Sequence, residues 1–207
     1  MNINLLPLFA SNVFYFSIDE DTSELDPNDF EFLQLGGNNF ASSSNAYSTA
    51  SIRVLEKYQN TKQILLNKFK EIAKDVLGYD NDFKISTSWF TKIKKGGYCN
   101  FHSHRHCLYS GIYYFGNDYT KDSAKLCFRS RTGQFSDYCI KSKHNDLVSS
   151  TTWLIPPEEK KIILFPSYLE HSIIEHKEET TRYSLAFNIF PVGEYGVGDS
   201  THNTDWI

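Results

Sequence analysis

The sequence predicts a mainly β protein, an antiparallel sandwich or barrel supported by one N-terminal helix. Three observations lead there. Sixteen Phe and thirteen Tyr stand against a single Met, a balance that favours strands and aromatic packing over a helical bundle. From residue 83 onward, short apolar runs follow one another with turn signals between them and no helical stretch. Before residue 80, one stretch has the opposite texture and reads as an amphipathic helix.

Residues 5–18 are apolar and aromatic and read as a buried strand; the basic n-region of a signal peptide is missing from them. The stretch 19–50 is polar, with "ELDPNDF", "LGGNN" and "SSSNAYS" as turn signals, and predicts a surface loop. Over 52–77, Leu65, Phe69, Ile72, Ala73 and Val76 recur at three- and four-residue spacings, and Gly78 stands where a helix stops. Strands are predicted at 83–95, in "YCNFHSH" after the Gly96-Gly97 turn, and at 108–115, 124–130, 151–155, 161–166 and 181–191. The last sixteen residues are Gly-rich and polar and predict a loose or docked tail. The expected organisation is one domain over 1–207. It comprises a supporting region over 1–80, a barrel core over 83–191 and a tail over 192–207.

Bulk properties narrow the function. A net charge of −4 gives no electrostatic reason to expect a nucleic-acid partner. No run approaches the roughly 18 apolar residues of a membrane span, so no membrane partner is expected. Cys99, Cys107, Cys127 and Cys139 lack CxxC spacing and read as free thiols in a reducing cytoplasm, the expected location. His144, His176 and His202 sit in polar contexts and read as loop histidines without a role.

The chemistry concentrates in "NFHSHRHC", where His102, His104 and His106 alternate. In an extended segment all three would face one side, as a metal site, a proton-handling cluster or a wet polar face. A further candidate, His171, lies downstream in "FPSYLEHSIIEH". Two ligands from one strand end and a third from a distant strand leave coordination positions open, as catalysis needs and structural zinc does not. In "TRYSLAFN", Arg182, Ser184, Ala186 and Asn188 share a face. An arginine inside a barrel is unfavourable without a counter-charge, and no inward carboxylate stands out in the nearby strands. A bound organic acid would supply it, taking a bidentate ion pair from Arg182 and a hydrogen bond from Ser184.

Taken together, "SWFTKIKKGGYCNFHSH", "LYSGIYYFGN", "ILFPSYLEHSI" and "RYSLAFN" resemble the iron(II)- and 2-oxoglutarate-dependent oxygenases. The branch they are most similar to is that of the small oxygenases found in marine phages and bacteria, related to prolyl hydroxylases. The likeness covers about residues 52–191, and its motifs occur in the branch's order. It implies a double-stranded β-helix, a jelly roll with the helix packed outside. By the same resemblance, His102, His104 and His171 match the Fe(II) ligands. The position of His104 is an acid in most of the superfamily and often His in this branch; an open coordination position there is the alternative. Arg182 matches the residue that grips the distal carboxylate of 2-oxoglutarate, Ser184 its hydroxyl helper, and Tyr114 the tyrosine that reaches the same carboxylate. The activity implied consumes O2 and 2-oxoglutarate, releases succinate and CO2, and hydroxylates an unactivated C–H of a peptide or protein side chain or a small metabolite. The branch's "HxHPNS" is "HSHRHC" here, so contacts made by that loop do not transfer, and His106 matches no ligand. Two rivals stand beside this reading: a cupin-like three-His metalloenzyme that does not use 2-oxoglutarate, and a non-catalytic jelly-roll module.

Overall fold

Strands that carry apolar residues on both faces need cover on both, and the fold provides it. The protein is seen here as a computed structural model, which describes residues 10–35, 45–116, 118–130 and 150–204. The strands run β1 (Phe14–Ser17), β2 (Phe32–Gln34), β3 (Ala46–Thr49) and, after helix α1 (Gln59–Asp75), β4 (Asp82–Ile93), β5 (Cys99–His102) and β6 (Tyr109–Tyr114). They continue as β7 (Leu126–Arg129), β8 (Thr152–Ile155), β9 (Lys161–Pro166), β10 (Glu170–Ile173) and β11 (Arg182–Val192). A terminal hairpin pairs β12 (Glu194–Tyr195) with β13 (His202–Asn203). The major sheet has the order β1-β9-β6-β11-β4-β3-β2 and the minor sheet β5-β10-β7-β8, with antiparallel pairing throughout.

Strand β6 shows how the layers are organised. All six of its residues are buried. Tyr109 and Tyr113 pack with Leu164, Leu185 and Phe187 against Leu65, Phe69 and Ala73 of α1. Ile112 and Tyr114 point the other way and pack with Leu126, Phe128 and Phe165 between the sheets. Each large apolar side chain buried in this way contributes about 1.5–3 kcal/mol. Gly111 belongs to the helix-facing row, and a Cβ there would lie 2.2 Å from the Phe187 ring. Only glycine leaves room for that ring against β6.

The helix differs from its predicted bounds. The chain over Val54–Glu56 forms a 3-10 turn instead, and α1 begins at Gln59. Val54 and Leu55 are buried, and the Leu55 N–H donates to Ser88 Oγ at 2.9 Å, so β4 ties this segment down before the helix can start. Leu65, Phe69 and Ala73 are buried as the spacing predicts, but Val76 is 65% exposed because the helix ends at Asp75. Gly78, with φ +69, turns the chain away.

Five strands have no counterpart in the sequence reading, two of them β12 and β13 in the predicted tail. β2 and β3 extend the major sheet beyond β4, inside the stretch predicted to be loop, and β10 lies between β5 and β7. Residues 5–9 of the predicted opening strand, 36–44 of the predicted loop, Cys139 and His144 lie outside the described residues. The tail is docked up to Thr204, whose hydroxyl donates to the Pro191 and Gly193 carbonyls at 3.2 Å. His176 is not a free loop histidine. It is fully buried, its Nδ1 accepting from the Ala124 N–H (3.2 Å) and its Nε2 donating to the Thr180 carbonyl (2.7 Å). No helix among the described residues is long and apolar enough to cross a membrane.

Candidate active site

The site begins where β5 and β10 pair. His171 stands in register with His102, and the register then shifts, so that Ile173 meets Cys99. In a regular strand Cys99 and His102, three residues apart, would face opposite sides. The irregularity turns both toward one cavity. His104 lies beyond the end of β5, where its N–H donates to the Ser167 carbonyl at 2.9 Å. The strand period therefore stops at His102. His106, with φ +59, is exposed and takes no part in the histidine cluster. Instead, His171 joins His102 and His104, and ring nitrogens from all three lie within 4.8 Å of one another.

Backbone contacts orient two of the rings. His102 Nδ1 lies 2.8 Å from the Asn100 carbonyl and His171 Nδ1 lies 3.0 Å from the Leu169 carbonyl. A carbonyl only accepts, so each Nδ1 carries the proton and each Nε2 keeps its lone pair for the site. Burial, reinforced by neighbouring His102, holds His104 down to about 4 and His171 to about 3. Both rings are neutral donors at physiological pH. Phe165 packs edge-on against His171 and Trp89 lies beside His104, so apolar walls enclose the cluster.

The cavity, about 390 Å³, lies between the sheets and reaches from the imidazoles to Thr91 and Ser184, which are in register on β4 and β11. No Asp or Glu lines it among the described residues. Beside Ser184 sits Arg182, only 2% exposed. Its Nη2 donates to the Tyr114 hydroxyl at 2.8 Å and its Nη1 to Ser184 Oγ at 3.3 Å. Nε is buried without a partner, and no salt bridge reaches Arg182 among the described residues. A buried cation with an orphaned donor is strongly unfavourable on its own. The donor set fits both groups of an iron and 2-oxoglutarate site: neutral nitrogens for a divalent metal, and an unpaired guanidinium for a carboxylate.

The structure thus brings together His102, His104 and His171 at one end of the cavity and Ser184 at another, with Arg182 and Tyr114 linked to Ser184 from outside the lining. Sequence reasoning missed Tyr119, whose hydroxyl donates to the Tyr183 carbonyl (2.6 Å) and accepts from the Gly116 N–H (3.2 Å). Its ring lies 5.5 Å from that of Tyr114 and braces the residue that holds Arg182. Nothing local in "GNDYTKD" signals this. Cys99 was missed because the strand irregularity that turns it inward has no sequence mark. Its thiol is pushed up to about 11 by burial, with the Arg182 charge pulling it back.

A family model described as "Putative 2OG-Fe(II) oxygenase" matches residues 87–188, which contain all six of these residues. Among solved structures, HygX from Streptomyces hygroscopicus with nickel, 2-oxoglutarate and hygromycin B bound is similar, with a TM-score of 0.60. It is 10% identical, over 87% of this chain and 83% of HygX. A Pseudomonas putida prolyl-4-hydroxylase has a TM-score of 0.51 at 12% identity, over 79% of each chain. SnoK, a non-heme alpha ketoglutarate dependent carbocyclase from nogalamycin biosynthesis, has a TM-score of 0.59 at 8% identity, over 92% of this chain and 84% of SnoK. No match was found among curated proteins. The structural likenesses establish the fold as a double-stranded β-helix.

Proposed function

We propose that the chain, whose residues 87–188 match the model of the 2OG-Fe(II) oxygenase family, hydroxylates an unactivated C–H of an organic substrate. Enzymes of the family depend on iron(II), 2-oxoglutarate and O2. In this reading His102, His104 and His171 hold the metal, and Arg182, Ser184 and Tyr114 hold the distal carboxylate of the co-substrate. The observation that carries the reading is Arg182, a buried cation without a counter-charge beside the cavity that the three imidazoles line.

When bound, iron and 2-oxoglutarate supply the oxidising chemistry, in which O2 is consumed, succinate and CO2 are released and one oxygen atom goes to the substrate. The chain's part is to position and to exclude. The Nδ1 contacts of His102 and His171 to carbonyls fix the rings with Nε2 toward the site. Arg182 offers two donors in a fixed plane, so a carboxylate is oriented as well as attracted. Trp89, Phe165 and Ile173 line the cavity and limit water in it.

Anaerobic titration with Fe(II), with and without 2-oxoglutarate, tests the reading through the weak visible metal-to-ligand charge-transfer band. The band is expected only when both are present. Arg182→Ala should retain Fe(II) but lose the band at co-substrate concentrations that saturate the natural protein. A folded protein that binds Fe(II) without developing the band would overturn the assignment.

A further inference from the structure

A second concavity, about 540 Å³, lies on the outer side of His104, bounded by residues 103–107, Tyr79, Tyr109 and Tyr168. His104 lines both voids, so an occupant of the outer groove lies against one member of the histidine cluster. No Asp or Glu lines the groove among the described residues, whereas Arg105 does. Arg105 is exposed and forms no salt bridge among the described residues. Tyr109 is the more telling residue. It is only 4% exposed, its ring packs against Phe69, and it lines the groove with a hydroxyl that makes no hydrogen bond among the described residues. Burial, with the phenols of Tyr79 and Tyr168 adding to it, pushes Tyr109 up to about 12, so it remains a protonated donor. The inner cavity adds to the positive balance. On the reading above, Fe(II) and the 2-oxoglutarate dianion cancel, and Arg182 remains as surplus positive charge.

We propose that this groove is the substrate site and that it takes a small organic anion, whose carboxylate or phosphate group is held by Arg105 and the Tyr109 hydroxyl. That the occupant is the substrate rests on the oxygenase reading; that the groove binds anions does not. Arg105 stands in the loop directly after His102 and His104. An ionised acid there gains charge-assisted hydrogen bonds that a neutral analogue forgoes.

The test is calorimetric binding of phenyl phosphate, benzoate and neutral benzyl alcohol to the full chain. The protein is kept anaerobic with Fe(II) and saturating 2-oxoglutarate, so that the Arg182 pocket is already filled. At least one anion should bind in the millimolar range or tighter, and benzyl alcohol about tenfold more weakly or worse. Arg105→Gln should weaken the anion about tenfold, and Tyr109→Phe about threefold to tenfold, with the charge-transfer band intact in both. A preference for phenyl phosphate or for benzoate identifies the acid group. No anion binding, equal binding of benzyl alcohol, or an anion affinity indifferent to Arg105→Gln would each overturn the proposal. Binding that 2-oxoglutarate competes away, and that Arg182→Ala rather than Arg105→Gln removes, would also overturn it. A missing band in the natural protein would sink the oxygenase reading alone, since the dependence on Arg105 is read without it.

Discussion

His104 and His171 are held neutral by burial, and the consequence appears in stability before it appears in catalysis. An imidazole in water titrates near 6.5, whereas these two reach only about 4 and about 3 in the folded protein. Between those values and 6.5 the unfolded chain takes up protons that the folded chain refuses, so stability rises with pH across that window. The metal-free protein should therefore lose melting temperature as pH falls from about 7 to about 4, and His171→Gln should flatten the slope. A melting temperature that is level over the window in circular dichroism would contradict the burial of these rings. The proposed metal-holding role of His102 and His171 gives a second result. Outer partners of a metal ligand are worth about 10–100-fold in affinity, so His102→Ala or His171→Ala should weaken Fe(II) by more than about a hundredfold. Equilibrium dialysis under anaerobic conditions measures this directly. Sequence identified these residues unevenly. Arg182 and Ser184 were readable because two residues in an extended segment share a face. The separation of His106 from His104 was not readable from strand period, since it depends on a positive φ in a coil. Tyr119 acts through a carbonyl sixty-four residues away, which no local pattern encodes.

At the scale of elements, what was readable divides by burial. Strands β6, β9 and β11 announce themselves through apolar residues on both faces because both are covered, by α1 on one side and the minor sheet on the other. β2 and β3, at one end of the major sheet, are three and four residues long, too short to carry an alternation to detect. β10 is only four residues, "EHSI", and exists as a strand because β5 and β7 flank it. The late start of α1 has the same origin, since apolar Val54 and Leu55 satisfy the helical spacing yet are captured by the sheet. The packing of β6 against β11 can be tested at one atom. In Gly111→Ala the new Cβ would lie 2.2 Å from the Phe187 ring, so the ring or the strand must shift. Overpacking of this kind costs about 1–3 kcal/mol. Urea unfolding should show a lower midpoint with an unchanged slope; an unchanged midpoint would mean that the two strands can part without loss.

For the whole molecule, Arg182 sets function against stability. Folding removes its guanidinium from water and returns two hydrogen bonds that it donates to uncharged hydroxyls, of Tyr114 and Ser184, and a contact with the Tyr114 ring, with Nε left unpaired. A fold selected for stability alone would place an apolar side chain there, since replacing buried charge by a well-packed apolar residue of similar volume is often neutral or stabilising by about 1–4 kcal/mol. The compensation must then come from what binds. In the natural protein with Fe(II), 2-oxoglutarate at a hundred times its Kd should add about 2.7 kcal/mol by mass action. Arg182→Met should reverse the order of stabilities. Without co-substrate the variant should melt at or above the natural protein; with Fe(II) and 2-oxoglutarate it should gain nothing and fall below it. The same pair of anaerobic melting curves decides against the idea as readily. If Arg182→Met melts well below the natural protein when both are unliganded, the Tyr114 and Ser184 contacts are reason enough for the arginine. Its charge would then be a structural feature and not a receptor for an acid. A crossing of the two curves has no structural explanation, because only a ligand that needs the charge can exchange their order.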